Sequence, residues 1–345
     1  MATQKAIVLQ GQTKAALVTD RPIPKLRPGY LLVDVKAVAL NPTDWKHREF
    51  FNTPDCLSGC DYAGVVAEVG TGYTKKWQKG DRICGVTHGA NSLQQEDGAF
   101  AEKIVVKADV QMRIPDQMSF EDACTLGIAM VTIAQGLYQG LHLNLPTEPT
   151  TSGEPVLIYG GSSAMGTIGI QFAKLSGYTP ITTCSPKNFD LVKSMGAVEV
   201  FDYRAPDCAE QIKKYTNNNL KLLWDSISSD ASVKICSDVL APGSIYGSLS
   251  PINPLNLPRD DVKLNHTLAY LGLGEPVEKG GTKWEDNVKD FEFFKDWLPM
   301  AESLLAQGKI KIHPTRVGKG LEGVLDGMDF MKEGKVSGVK LVYTI

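Results

Sequence analysis

The sequence predicts an α/β protein of two domains, one β-rich and one built on a doubly wound parallel sheet. Three observations lead there. The length, 345 residues, exceeds the roughly 100–200 of one ordinary domain. Short Val/Ile-rich segments bounded by glycine fill about the first 120 positions, the pattern of a small barrel-like β domain. From Pro155 to Leu249 strands then alternate with helices, which indicates a parallel sheet covered on both faces.

The elements follow in order. Met1 to Leu9 starts a strand. Leu31 to Leu40 follows the Pro28-Gly29 turn, and Asp61 to Gly70 and Asp81 to Val86 are short strands, the last after the Lys79-Gly80-Asp81 turn. Ser119 and Asp122 are spaced as a capping-box-like helix start. Pro155 to Tyr159 is a buried strand, followed by a Gly/Ser turn and a helix from about Met165 to Ser176. Further strands are Thr179 to Cys184, Val198 to Phe201, Leu220 to Trp224 and Ser244 to Leu249. Helices run over Phe189 to Met195, Asp207 to Tyr215 and Ala231 to Leu240. A late helix spans Asp290 to Gln307. The tail Val339 to Tyr343 is a strand without a neighbour, expected to return to the first domain. Asn217 to Asn219 and Gly280-Gly281 are loop punctuation.

Hydrophobic residues at 43% and charged residues at 22% are ordinary values and exclude a disordered or fibrous chain. A net charge of −3 provides no drive toward nucleic acid or an anionic membrane. The seven cysteines, Cys56, Cys60, Cys84, Cys124, Cys184, Cys208 and Cys236, are odd in number and form no C-x-x-C pair. They read as reduced thiols. The start lacks the pattern of a signal peptide. The longest apolar stretch, Ala123 to Ala134, falls short of the ~20 residues of a spanning helix. A soluble, cytoplasmic protein is expected.

The segment Val156 to Gly169 joins a strand to a helix through Gly160, Gly161, Ser162, Ser163, Ala164, Met165 and Gly166. Small residues there let the backbone approach a pyrophosphate, and the helix start offers N–H groups to the anion. The spacing is not a strict G-x-G-x-x-G, so the surrounding strands carry the reading. An NAD site places a carboxylate at the end of the second strand. Here Ser185, Pro186, Lys187 and Asn188 stand instead, with no carboxylate before Asp190. Donors and a cation suit a 2′-phosphate, so NADPH is inferred; the alternative is that Lys187 is only a solvated lysine. Tyr203, after the third strand, either lies against the same phosphate or is an ordinary half-buried tyrosine.

Asn41-Pro-Thr-Asp44, Gly59-Cys-Asp-Tyr-Ala-Gly64, Lys79-Gly-Asp-Arg82, Asp97-Gly-Ala-Phe-Ala-Glu102, the Gly/Ser turn and Lys335-Val-Ser-Gly338 together resemble the medium-chain dehydrogenase/reductases over nearly the whole chain. The resemblance implies a GroES-like β-rich catalytic domain and a Rossmann domain. The implied boundaries are 1–125 for the first part of the catalytic domain, 126–265 for the NADPH-binding domain and 266–345 for the return. Zinc-dependent members carry Cys at the place of Asn41, Gly-His-Glu at the place of Gly59-Cys60-Asp61, and a lobe of four cysteines that this chain lacks. A zinc site needs three or four convergent ligands. No metal is therefore expected, and His47 and His88 are expected on the surface or in a pocket. These residue types leave no Lewis acid for an alcohol or aldehyde, so reduction of an activated C=C bond is favoured.

Within that family, Tyr159-Gly-Gly-Ser162, Leu175-Ser-Gly-Tyr178, Thr183 to Leu191, Val200 to Pro206 and Asn41 to Lys46 resemble the fungal trans-acting enoyl reductases. These serve polyketide synthases, or polyketide–peptide hybrids, whose own enoyl reductase domain is inactive. The resemblance implies a loop of Thr43, Asp44, Trp45 and Lys46 over the nicotinamide end, with Lys46 near the ribose. It places Ser162 to Met165 on the pyrophosphate, Ser185 to Asn188 and Tyr203 on the 2′-phosphate, and Leu249, Ser250, Val336 and Ser337 around the cofactor. Thr132 would sit beside the nicotinamide and share the catalytic role with Lys46. Ile128, Ala129, Met130, Val131, Thr132 and Gln135, with Thr267, Leu268, Ala269, Tyr270 and Leu271, would line the acyl channel.

The implied chemistry is hydride transfer from NADPH to the β-carbon of an α,β-unsaturated thioester on an acyl carrier protein, then protonation at the α-carbon. Some relatives offer a tyrosine after the Asn-Pro-x-Asp motif. This chain reads His47-Arg-Glu-Phe-Phe51 there, which leaves water or Lys46 as the donor. Two other readings stand beside this one: a free-standing quinone or enone reductase, and a non-catalytic NADPH-binding protein. A monomer is expected.

Overall fold

The computed structural model describes residues 2–51, 53–252, 257 and 259–345. Met1, the first residue of the expected opening strand, lies outside them. The chain forms two compact units, Met1–Val131 with Ala269–Ile345, and Thr132–Leu268.

The first unit opens with β1 (Thr3–Gly11), β2 (Lys14–Pro22), β3 (Tyr30–Ala39), β4 (Asp61–Val69), β5 (Arg82–Val86), β6 (Lys103–Lys107) and β7 (Gln111–Arg113). In the second unit lie β8 (Pro155–Tyr159), β9 (Thr179–Cys184), β10 (Glu199–Asp202), β11 (Leu220–Asp225), β12 (Leu240–Ser248) and β13 (Val262–His266). The first unit resumes with β14 (Val277–Lys279), β15 (Thr282–Trp284), β16 (Thr315–Lys319) and β17 (Lys340–Thr344).

A seven-stranded sheet in the order β16-β17-β3-β4-β5-β7, with β6 also on β3, forms the body of the first unit. The tail strand returns as expected: β17 pairs antiparallel with β3, Val342 opposite Ala39. Period-two alternation explains the burial. In β3 the side chains of Leu31, Val33 and Val35 face the core, which packs Ile7, Leu31, Tyr62, Phe100, Ile104 and Leu341. Gly280 and Gly281, at φ +58° and +79°, are the central pair of a two-residue turn joining β14 to β15. Two positive φ values favour glycine at both positions, so this doublet marks a hairpin rather than a plain loop.

The segment Thr43 to Lys46, expected as a loop, is instead part of a helix, Pro42–Phe50. Pro42 at the first helical position loses no intrahelical bond. Asp44 accepts the otherwise orphaned Asn41 N–H at 2.7 Å. The Ser119 hydroxyl accepts from Asp122 N–H as expected, but the helix it starts is one turn, Phe120–Ala123. A second helix, Gly127–Ile133, continues into a wider π-helical segment, Ala134–Gly140.

The second unit holds a parallel six-stranded sheet, β10-β9-β8-β11-β12-β13. Its sixth strand, β13, was not legible in the sequence pattern, because only Val262 of Val-Lys-Leu-Asn-His is buried. The other strands and helices match the alternation read from sequence to within a few residues, β12 excepted: it begins at Leu240, directly after the helix Asp230–Val239. Leu157, Ile181, Leu223 and Tyr246 form its core. No helix among the described residues is long and apolar enough to cross a membrane.

Candidate active site

The strand order reverses between β8 and β11, and in open parallel sheets ligands bind beyond the carboxyl ends at such a point. The Gly/Ser turn lies there. Gly160 has φ +81°, and a Cβ on it would meet Ile227 and Ser226. A Cβ on Gly161 would fall on Thr182 Oγ1, and one on Gly166 on the Gly160 carbonyl. Ser163 caps the helix Ala164–Leu175, accepting from Gly166 N–H at 2.9 Å and donating to Gly160 O at 2.8 Å. Ser162, Ala164 and Met165 complete the turn, half-buried. The buried carboxylate of Asp225 holds the neighbouring strand end, accepting from Ser232 Oγ, Tyr246 Oη and the Ile227 and Ser228 N–H groups. Leu249 N–H donates to Ser228 Oγ, with Ser250 next in the chain.

At the end of β9 the backbone passes through Ser185 into the single turn Pro186–Asn188. Lys187 is exposed, and no carboxylate occupies the segment. Tyr203 follows β10, the strand paired to β9, 38% exposed and tilted 6.5 Å from Tyr159. The turn, the donors and the cation thus come together in one unit, on adjacent strand ends. A turn too tight for side chains, opening a helix at a strand end, fits the pyrophosphate of a dinucleotide. Thr132 and Gln135 lie on the helical segment of this unit, and Thr267 and Leu268 follow β13.

The first unit carries the remaining predicted residues. Asn41 caps the helix Pro42–Phe50 and donates to Asp61 Oδ2 at 2.8 Å. Lys340 Nζ reaches Asp61 Oδ2 at 2.6 Å, Asn41 Oδ1 at 2.9 Å and Thr125 O at 3.2 Å. Asp61 Oδ1 accepts the Ile128 N–H. Two positions where zinc-dependent members have ligands or their support are therefore spent on an internal ammonium. Among the described residues no group of three or more His, Cys, Asp or Glu converges on a metal position.

Burial pushes Asp44 up to about 7. Lys46 lies beside Trp45, its Nζ 5.9 Å from the ring centroid, and burial lowers its pKa. Val336 packs on the core ahead of β17, with Ser337 beside it. Ile128, Ala129, Met130 and Val131 are all buried in the helix Gly127–Ile133.

Tyr270, expected in the acyl channel, gathers residues from distant parts of the first unit, of which only Lys279 had no place in the sequence expectations. Its hydroxyl lies 3.1 Å from Cys60 Sγ and 3.4 Å from Thr43 Oγ1. His88 stacks on its ring at 4.2 Å, and the Lys279 ammonium stands 4.0 Å from the ring centroid. His47 and His88, expected on the surface or in a pocket, are 3% and 5% exposed. Burial holds both well below the usual histidine pKa. The Gly280-Gly281 hairpin signal was the clue to Lys279, since it makes that residue the last of β14. Ala269 and Leu271 flank Tyr270 in a short 3-10 helix, Ala269–Leu273.

Residues 27–116 match the family described as Alcohol dehydrogenase GroES-like domain, and residues 164–251 the one described as Zinc-binding dehydrogenase. Fold and site thus define a medium-chain dehydrogenase/reductase. The solved CurK enoyl reductase has the same fold, with a TM-score of 0.74 at 20% identity, covering 99% of this chain and 98% of its own. Trans-enoyl reductase resD of Aspergillus sclerotiorum is 44% identical over 99% of this chain and 100% of its own length. Trans-enoyl reductase TOXD of Cochliobolus carbonum is 50% identical over 80% of this chain and 92% of its own. The chain belongs to the trans-enoyl reductase family, and it is an oxidoreductase with a Rossmann-type nicotinamide site.

Proposed function

We propose that this protein reduces the α,β-double bond of a polyketide intermediate held as a thioester on the acyl carrier protein of a synthase, with NADPH as reductant. The observation that carries the reading is its 44% identity to a trans-enoyl reductase across 99% of the chain, which spans both units. The bound nicotinamide would supply the hydride.

The protein's own part is to bind, orient and exclude water. Gly160 to Gly166 hold the pyrophosphate, and Ser185 to Asn188 with Tyr203 hold the 2′-phosphate. Thr43 to Lys46, Leu249, Ser250, Val336 and Ser337 close on the cofactor. Lys46 and Thr132 act beside the nicotinamide, and Ile128 to Thr132, Gln135 and Thr267 to Leu271 line the acyl channel. Choice of NADPH follows from chemistry: a doubly charged phosphate finds Lys187 and hydroxyl donors where NAD enzymes present a carboxylate. The unit of residues 1–131 and 269–345 serves as the catalytic domain and that of 132–268 as the cofactor domain, a few residues beyond the expected boundaries at 125/126 and 265/266, in a cytoplasmic monomer of 37.5 kDa.

The test is co-incubation with the partner synthase and NADPH. A double bond must disappear from the product only when this protein is present. Oxidation of NADPH with a quinone, and not with an enoyl pantetheine thioester, overturns the proposal in favour of a free-standing reductase. Cofactor binding without any turnover overturns it in favour of a non-catalytic role.

A further inference from the structure

The cluster around Tyr270 is costly to build. Burying imidazoles, a phenol and an ammonium forfeits hydration that only hydrogen bonds can replace. The cluster replaces only part of it. Asp44 Oδ1 and His88 Nε2 are buried without a hydrogen-bond partner, and Lys279 forms no ion pair among the described residues, its hydrogen bond going to His47 Nε2 at 2.6 Å. A network kept for stability alone would be satisfied throughout.

Its bonds do form a continuous chain. Lys279 Nζ meets His47 Nε2, His47 Nε2 meets Thr43 Oγ1 at 3.0 Å, and Thr43 Oγ1 meets the Tyr270 hydroxyl at 3.4 Å. Burial keeps His47 neutral and holds the Tyr270 phenol protonated. It also lowers Lys279 to about 8, so that ammonium gives up a proton near neutrality. The carboxyl of Asp44, the thiol of Cys60 and the imidazole of His88, which burial keeps neutral, are the other titratable groups facing this chain. The ammonium over the ring favours a transient phenolate.

We propose that Tyr270 donates the proton to the α-carbon of the enoyl thioester, resupplied through Thr43 and His47 from Lys279. The proposal rests on the enoyl reductase reading. The bound nicotinamide would supply hydride to the β-carbon, and the former π pair would then rest on the α-carbon and thioester oxygen. The Tyr270 O–H bond breaks as that pair forms the new Cα–H bond. His47 Nε2 takes a proton from Lys279 and passes it to Thr43 as Thr43 gives its own hydroxyl proton to the phenolate. Half-buried Lys279 recovers its proton from solvent. A donor fixed on one side of the acyl group sets the α configuration, which free water cannot do.

The experiment uses the full chain, NADPH and 2-methylbut-2-enoyl pantetheine, whose reduction creates an α-stereocentre. Wild type is expected to give one enantiomer of the 2-methylbutanoyl product. Tyr270→Phe is expected to lower kcat by about 100-fold, leave the KM for NADPH unchanged and give a near-racemic product. Lys279→Met is expected to lower kcat about ten-fold and retain the configuration, and it tests the same chain should Tyr270→Phe fail to fold. A Tyr270→Phe enzyme that still makes one enantiomer overturns the proposal whatever its rate, because packing damage slows turnover without exchanging the proton donor. So does a racemic wild-type product, or an unchanged Lys279→Met rate. A wild-type protein that never consumes the thioester overturns the enoyl reductase reading, and the donor with it, before any substitution is made.

Discussion

Lys340 Nζ lies 2.6 Å from Asp61 Oδ2, with the two side chains 3% and 0% exposed. The pair ties the C-terminal strand to β4 across 279 positions of sequence. Neither charge can be removed alone without leaving the other buried. Lys340→Met is expected to destabilise the protein by about 3–5 kcal/mol, measured by urea unfolding followed with tryptophan fluorescence. A variant as stable as wild type would show that the pair is not what fastens the tail.

Lys187→Ala is expected to raise the KM for NADPH roughly ten-fold, at the low end of a charge-assisted bond's worth because the lysine is exposed. The KM for NADH should not move. Steady-state kinetics with both cofactors decide it, and an unchanged preference refutes the 2′-phosphate assignment.

Lys46→Ala is expected to lower kcat/KM for the enoyl thioester by roughly 100-fold, the scale of one positioned donor in a water-poor site. Equal kcat/KM in variant and wild type removes Lys46 from the site.

Gly166→Ala should weaken NADPH binding by more than about ten-fold. The added methyl would collide with the Gly160 carbonyl and come within 2.6 Å of Gly161 Cα, opening the turn. Titration of cofactor fluorescence reads the effect, and wild-type affinity would mean the turn lies outside the cofactor site.

Asp44 makes stability depend on pH in a defined direction. Burial lifts it to about 7, while the unfolded carboxyl ionises near 3.9. Between those values the folded state keeps a proton that the unfolded state has lost, so this residue's contribution to stability falls as pH rises from about 4 to about 7. The difference corresponds to at most about 4 kcal/mol. Asp97, lifted to about 6, acts in the same direction. Asp44→Asn keeps an acceptor for the Asn41 N–H and should flatten the slope without abolishing it. Urea unfolding at pH 4.5 and pH 7 measures this, and parallel slopes in both proteins would refute it.

Much of the architecture was legible because its signals are local. Alternating strands and helices from Pro155 onward, the glycine turn and the missing carboxylate before Asp190 each lie within a few consecutive residues. The helix Pro42–Phe50 was legible too, in Asn41, Pro42 and Asp44, but an expected loop stood in its place. The strand β13 was not, since an edge strand with one buried side chain has no apolar alternation to read.

The sequence by itself determined the two-domain α/β class, the place of the cofactor turn and the family resemblance, for these depend on periodicity, turn chemistry and contiguous motifs. Only the tertiary structure decided where the polar side chains of the first unit meet. Lys340 on Asp61, Lys279 on His47 and Tyr270 on Cys60 and Thr43 join residues 210 to 279 positions apart. No local pattern encodes such contacts. They follow from the return of the C-terminal segment to the first sheet, where burial then shifts their protonation and makes a hydrogen-bonded chain of groups that read separately as unremarkable.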